Sequence, residues 1–295
     1  MGPNTLQEAV VYFASADNCR EYLVVHRWPK GVTCPRCGGT KVLFQPKYNR
    51  WQCRSKHPLR QFTSKTGTIF EDSPLALDKW LLAMWQVVNC KNGVSSYEVH
   101  RAIGVTQKTA WFMDHRIRLA LGMGTEKKLS GHVEADETFI GGKDKKVMEI
   151  LERGKKDGHT KVCTSLVSNR KSALQAEVRK HVEAGAVLYT DALQSYNGLD
   201  EVEHQVVHHA VQNVDGIVHT NGLENFWSLL KRWINGTYGS VEPFHLFHYL
   251  DEQAYRFSTR KLTDGERFSA AVSGIVGRRI TFDELTGKEA ASGCV

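Results

Sequence analysis

No apolar run in the 295 residues approaches the about 20 residues that a membrane-spanning helix needs. The opening Met-Gly-Pro-Asn-Thr-Leu-Gln-Glu has no charged stretch followed by an apolar one, so no secretory leader is expected. Leu6 stands where a myristoylation signal needs Ser or Thr. There is no internal repeat and no low-complexity tract, which sets solenoids and long disordered chains aside. Cysteine is sparse, with seven in the chain. Three cluster, at Cys34, Cys37 and Cys53, while Cys19, Cys90, Cys163 and Cys294 are scattered. A disulfide framework is denser than this, so the expectation is a reducing, cytoplasmic setting in which clustered thiols bind metal.

The chain is otherwise ordinary in its apolar content, 41% with 9% aromatic, enough for a true core. At about 150 residues per domain it is long enough for two folded units. Its net charge is +7, with a pI near 9.0. The charge is unevenly spread. Residues 1–125 hold 17 Lys and Arg against 8 Asp and Glu, and the remainder holds 22 against 24. The basic half invites an acidic partner, nucleic acid being the commonest, and the rest is free to carry functional carboxylates.

The patterning divides the chain into N-terminal helices (1–30), a ribbon (31–72), a helical region (73–125), an α/β domain (126–260) and a C-terminal tail (261–295). Asp17 is placed to cap the second N-terminal helix. Ser73-Pro74 reads as a helix start, with Leu77, Trp80, Leu81, Met84, Trp85 and Val88 at helical spacing behind it. Ser95 and Thr106 stand as caps on either side of a Gly104 turn, the pattern of a helix-turn-helix. In the α/β domain, His132 to Ile140, Val162 to Val167, Ala173 to Val178 and Val187 to Thr190 read as strands. Residues 143–160 read as a basic loop. Glu224 to Trp233 and Leu246 to Arg256 read as helices.

Cys34-Pro-Arg-Cys37-Gly-Gly is a knuckle that grips one tetrahedral ion, and Cys53-Arg-Ser-Lys-His57 supplies the other half of a Cys3His zinc site. Two carboxylates stand at strand ends, one in Asp136-Glu137 and the other at Asp191. Adjacent residues of a strand face opposite ways, and spacing does not say which of Asp136 and Glu137 faces a site. Glu224 opens a helix. Asn221-x-x-Glu224 is also close to a capping box, a purely structural role. Three such carboxylates can hold a pair of Mg²⁺ ions about 4 Å apart, with Mn²⁺ as a substitute. Lys231, seven residues after Glu224, shares its helix face and either reaches a phosphate or is simply solvated.

In a helix-turn-helix, the first residues of the second helix meet base edges. Here these are Thr106, Gln107, Lys108 and Thr109, with Arg116 and Arg118 further along and directed to phosphates. An ordinary helical hairpin with charged faces has the same pattern. Lys143, Lys145, Lys146, Arg153, Lys155 and Lys156 either grip DNA or form a solvated loop. His219 is close enough in sequence to Glu224 to be an active-site candidate.

Several blocks occur together and in order. They are Trp28-Pro-Lys-Gly-Val-Thr-Cys-Pro-Arg-Cys-Gly, Gln61-Phe-Thr-Ser-Lys-Thr-Gly-Thr-Ile-Phe-Glu-Asp-Ser, Val105-Thr-Gln-Lys-Thr-Ala-Trp-Phe-Met, Asp136-Glu-Thr-Phe-Ile-Gly-Gly-Lys, Thr190-Asp191 and His219-Thr-Asn-Gly-Leu-Glu-Asn-Phe-Trp-Ser-Leu-Leu-Lys-Arg. On these the chain resembles bacterial insertion-sequence transposases of the DDE type that carry an N-terminal zinc ribbon, over about residues 5–260. The resemblance implies an RNase H-like fold, a mixed sheet flanked by helices, preceded by the ribbon and a helix-turn-helix. It selects Asp136, Asp191 and Glu224 as ligands of Mg²⁺ and Lys231 as the trailing basic residue of the signature, the four forming the catalytic set; Lys231 and the neighbouring Arg232 are also expected on DNA. His57 departs from the second Cys pair with which the family ribbon often ends. The implied activity is metal-dependent cleavage of the ends of a mobile element and their transfer to target DNA. The implied setting is a homodimer or larger synaptic assembly on double-stranded DNA, associated with the nucleoid. A catalytically silent DNA-binding regulator and another RNase H-like nuclease are the alternatives.

Overall fold

The fold was analysed in a computed structural model that describes residues 2–122, 128–140, 146–154, 160–168, 170–191, 194–206, 221–239 and 241–288. The chain forms two compact units, residues 1–121 with 262–295, and residues 122–261.

In the first unit, helices α1 (Leu6–Phe13) and α2 (Ala16–Arg27) lead into a three-stranded antiparallel ribbon, β1 (Val42–Gln45), β2 (Arg50–Cys53) and β3 (Gln61–Phe62). Helices α3 (Leu77–Asn89), α4 (Ser96–Ile103) and α5 (Gln107–Leu121) follow. Helix α2 is capped by Ser15, whose hydroxyl accepts from the Asn18 N–H at 3.4 Å; Asp17, expected to be the cap, lies inside the first turn. Ser73 does not begin α3. Its hydroxyl accepts from the Leu75 N–H at 3.2 Å and the Trp80 indole at 3.0 Å, and the helix starts at Leu77. Ser95 and Glu98 form a full capping box on α4, and Gly104 ends that helix in the left-handed conformation. Thr106 accepts from the Thr109 N–H at 3.1 Å, as its position before α5 predicts.

Residues 261–295, set apart in the sequence as a tail, carry α9 (Asp264–Ser273) and α10 (Phe282–Leu285), and α9 packs inside the first unit. Phe268 is fully buried, with its ring 5.7 Å from Phe13, 5.6 Å from Tyr22 and 5.0 Å from Trp85. The N-terminal helices are too short to close a core among themselves, and the returning aromatic fills it.

The second unit is built on a five-stranded mixed sheet: β4 (His132–Phe139), β5 (Lys146–Glu152), β6 (Lys161–Val167), β7 (Val187–Thr190) and β8 (Glu203–Val206), in the order β6-β5-β4-β7-β8. β4, β5 and β6 pair antiparallel, and β7 and β8 run parallel to β4. Helix α6 (Lys171–His181) covers one face through Leu174 and Val178, against Val133, Ala135, Met148 and Ile150. Helices α7 (Asn221–Trp233) and α8 (Leu246–Ser258) cover the other, where Leu223, Phe226, Leu230 and Leu250 meet Val147, Leu151 and Val162. This is the RNase H-like arrangement that the resemblance implied.

Two segments differ from the sequence reading. Residues 173–178, expected as a strand, lie in α6, because Leu174 and Val178 are one helical turn apart and both are buried. The stretch expected as a basic loop contains β5. Its Val147-Met-Glu-Ile-Leu run is buried on both faces, and only its flanks are charged.

Candidate active site

Strand alternation separates Asp136 from Glu137. Residues 134, 136 and 138 of β4 face α7, whereas 133, 135 and 137 face α6. The Trp227 indole N–H, from α7, donates to Asp136 Oδ2 at 3.0 Å, and the Glu137 N–H donates to Asp136 Oδ1 at 2.8 Å. Glu137, on the opposite face, accepts from the Tyr196 hydroxyl and pairs with Lys146 at 3.3 Å.

Asp191 directly follows β7 and is half-buried. The parallel register aligns Glu134 with Tyr189, the last pair of the two strands; Asp136 and Asp191 each lie two residues further along. Their proximity is felt electrostatically. Burial pushes the Asp136 carboxyl up to about 6, the two N–H donors pull it down, and the charges of Asp191 and Glu137 raise it again. Thr190, fully buried, holds the strand end: its hydroxyl donates to the Asp191 carbonyl at 2.8 Å and pairs with His204 Nε2 at 2.8 Å.

Glu224 is exposed in the first turn of α7, one turn before Trp227, and Lys231 is exposed one turn after it. Positions 224, 227 and 231 therefore form one stripe of the helix, and Trp227 turns that stripe toward Asp136. Beyond Lys231 a cavity of about 450 Å³ is lined by Phe139, Ile140, Lys231, Asn235 and Val241 among others. Arg232 is exposed and bonds Ser228 at 3.4 Å. His219, Lys143, Lys145, Lys155 and Lys156 lie outside the described residues. Lys146 and Arg153 do not form a free basic patch, being paired with Glu137 and, at 2.7 Å, with Glu134.

Sequence reading missed Glu149. It is the register partner of Asp136 across β4 and β5, is fully buried, and neither carboxylate oxygen has a hydrogen-bond partner among the described residues. Burial, with the Asp136 and Glu134 charges adding, raises its carboxyl well above the ordinary value. The available signal was a single acid inside an apolar run.

In the ribbon, the Sγ atoms of Cys34, Cys37 and Cys53 and a ring nitrogen of His57 all lie within 4.8 Å of one another. Cys34 Sγ is 3.5 Å from His57 Nε2, and Cys37 Sγ is 3.7 Å from Cys53 Sγ. The Pro58 carbonyl can only accept, so at 2.6 Å it fixes the proton on His57 Nδ1 and leaves Nε2 as the donor atom. His57 also draws the Cys53 thiol down to about 6. A Cβ on Gly39 would stand 3.3 Å from Cys37 Sγ and 3.0 Å from Ser55 Oγ, a tight fit beside the thiols. Three thiols and an imidazole converging in this way fit one tetrahedral zinc ion.

Of the residues expected on DNA, Thr106, Lys108 and Thr109 lie at the start of α5, and Lys108 is exposed over the Phe282 ring at 4.6 Å. Gln107 is half-buried and donates to Ser96 Oγ at 2.9 Å. Arg116 and Arg118 are not on the surface: they are 4% and 1% exposed. The Arg116 guanidinium donates to the carbonyls of Glu71 at 3.0 Å and Ile280 at 3.3 Å, so it is an internal strut and not a phosphate contact.

A mixed sheet of this order flanked by helices, with a separate Cys3His ribbon, defines the class: an RNase H-like α/β domain joined to a zinc ribbon. Residues 128–258 match the family described as ISXO2-like transposase domain, and residues 14–55 match the transposase zinc-ribbon domain. The chain is 27% identical over 256 residues to "Uncharacterized protein in transposable element ISH50" of Halobacterium salinarum, covering 76% of this chain and 84% of the relative. It is 31% identical over 105 residues to an "Uncharacterized transposase-like protein" of Haemophilus influenzae, covering 35% of this chain and 85% of the relative. The chain belongs to the ISXO2-like transposases of insertion sequences, with their zinc ribbon. Among solved structures, one from the simian T-cell lymphotropic virus intasome with PP2A regulatory subunit B56 gamma aligns at 13% identity over 60% of this chain and 65% of that one, with a TM-score of 0.28, too low to bear on function. Among the described residues, no helix is long and apolar enough to cross a membrane.

Proposed function

We propose that this transposase binds the ends of its own mobile element, cuts them with divalent cations held by Asp136, Asp191 and Glu224, and joins them to target DNA. The observation that carries the reading is the convergence of Asp136 and Asp191 on adjacent strand ends beneath the helix stripe that bears Glu224. The donor set fits the cation: hard carboxylate oxygens suit Mg²⁺ or Mn²⁺. The raised Asp136 carboxyl and the orphaned oxygens of Glu149 mark a place with an excess of buried negative charge, which a cation relieves.

Bound Mg²⁺ would polarise the scissile phosphate and activate the attacking oxygen. The protein's own part is positioning. Trp227 holds one Asp136 oxygen by its indole N–H and leaves the carboxylate aimed at the strand ends. Lys231 stands two turns along α7 from Glu224, where its ammonium can meet a backbone phosphate. In the first step water attacks the phosphodiester, leaving a 3′-hydroxyl on the element end and a 5′-phosphate on the flank. In the second, that hydroxyl attacks a target phosphodiester; one ester bond forms, one breaks, and the departing target 3′-oxygen takes up a proton. No side-chain nucleophile is required, and positioning with charge neutralisation supplies the rate.

The α4–α5 pair supplies end recognition through Thr106, Gln107, Lys108 and Thr109, the ribbon holds zinc as a structural ion, and two ends call for at least two copies of the chain. A nicking assay on duplex carrying the gene's flanking ends, with Mg²⁺, tests the function. The wild type nicks at the ends and Asp191→Asn does not. Tight end binding by both proteins with no nicking by either would refute the catalytic reading.

A further inference from the structure

Glu134 and Arg153 take no part in the chemistry above, yet they sit at the foot of the helix that carries Glu224. Glu134 precedes Asp136 by two residues on β4, so both side chains leave the same face. It is 1% exposed. Its Oε1 accepts from Arg153 Nε at 2.7 Å, and its Oε2 accepts from the backbone N–H of Leu223 at 3.2 Å. That N–H belongs to the first turn of α7, where donors have no partner inside the helix and a negative charge also meets the positive end of the helix dipole. The approach is tight: a Cβ on Gly222 would stand 2.9 Å from Glu134 Oε2 and 3.2 Å from Leu151 Cδ1. On its other side the Arg153 guanidinium lies over the Tyr189 ring at 4.1 Å, and the Tyr189 hydroxyl pairs with His132 Nδ1 at 2.8 Å. Tyr189 lies two residues before Asp191. One buried ionic bracket therefore touches the strand of Asp136, the strand that leads into Asp191 and the first turn of the helix of Glu224.

We propose that Glu134 is a positioning residue for the cation site: held by Arg153 and admitted by Gly222, it fixes where α7 begins against β4 and hence where Glu224 stands relative to Asp136 and Asp191. The proposal rests on the reading of those three acids as cation ligands. Both Glu134 oxygens are engaged inside the protein, one by Arg153 and the other by the Leu223 N–H, so the role assigned to it is to hold α7.

The test is the Mn²⁺ affinity of the full chain, measured by isothermal titration on the wild type, Glu134→Gln, Glu224→Gln and the double variant. Glu134→Gln weakens Mn²⁺ binding by about tenfold, the loss expected when a residue that orients a ligand is removed. The double variant binds no more weakly than Glu224→Gln alone, because Glu134 acts through Glu224. Gly222→Ala, which keeps every charge but displaces the Glu134 carboxylate, gives the same weakening and the same non-additivity, and it carries the test if Glu134→Gln does not fold. Wild-type affinity in both Glu134→Gln and Gly222→Ala would overturn the proposal, as would additive losses in the cycle, which indicate general loosening of the fold. A separate outcome, no Mn²⁺ binding by the wild type or no effect of Glu224→Gln, would remove the ligand reading and the positioning role with it.

Discussion

Asp136 is the residue at which burial and chemistry conflict most openly. Its carboxyl stands at about 6 against 3.8 when free, because it is buried beside Asp191. The folded chain thus holds this proton more tightly than the unfolded chain, and the metal-free protein loses stability as pH rises from 3.8 through about 6. Asp136→Asn removes that burden. At about pH 8 without metal it should stabilise the protein by on the order of 3 kcal/mol, the energy of a shift of this size. The gain should shrink as the pH falls through about 6. Thermal melts of both proteins in chelator across this range check it; a gain that does not depend on pH would assign the effect to packing. At this scale the candidate site was partly legible. Asp191 and Glu224 stand out by their place at element ends, but spacing does not choose between Asp136 and Glu137; the resemblance picks Asp136, and the structure gives each its partners, Trp227 for one, Tyr196 and Lys146 for the other. Arg116 and Arg118 misled because a charged residue on a helix reads as solvent-facing, and only the tertiary fold shows that carbonyls such as those of Glu71 and Ile280 are waiting for it.

At the scale of elements, helices with strong local signals were legible. The Ser95–Glu98 box and the Thr106 cap are written in residues three apart, and α4 and α5 begin where those signals place them. What was not legible depended on partners distant in sequence. β5 carries an acid in the middle of its run and basic residues on both sides, so its burial follows only from its place between β4 and β6. The sequence reads as a strand inside α6 because Ala173 to Val178 is short and apolar enough for either period. α9 could not be placed by sequence at all: Phe268 belongs to the core of helices some 180–260 residues earlier. Phe268→Ala should destabilise the first unit by about 3–5 kcal/mol, the cost of an aromatic-sized cavity. Urea unfolding followed by circular dichroism measures it, and a loss below about 1 kcal/mol would mean that α9 is not part of that core.

For the whole molecule, the division of charge agrees with the proposed division of labour. The half up to residue 125 carries the excess of Lys and Arg, and the acid site lies in the half where Asp and Glu outnumber them. Binding to element ends should accordingly be steep in salt. Lys108→Ala should weaken it and reduce the salt slope by about 1, the signature of one lost phosphate contact. Fluorescence anisotropy at several salt concentrations reads both quantities, and an unchanged slope would take Lys108 off the DNA.

The central claim, that Asp136 holds the catalytic cation, is tested most directly by exchanging its oxygen donors for sulfur. Asp136→Cys should abolish nicking of element ends in Mg²⁺, which binds thiolate poorly, and recover part of it in Mn²⁺, which tolerates a softer ligand. Wild-type nicking by Asp136→Cys in Mg²⁺ would contradict the account, because the cation would then be held without Asp136.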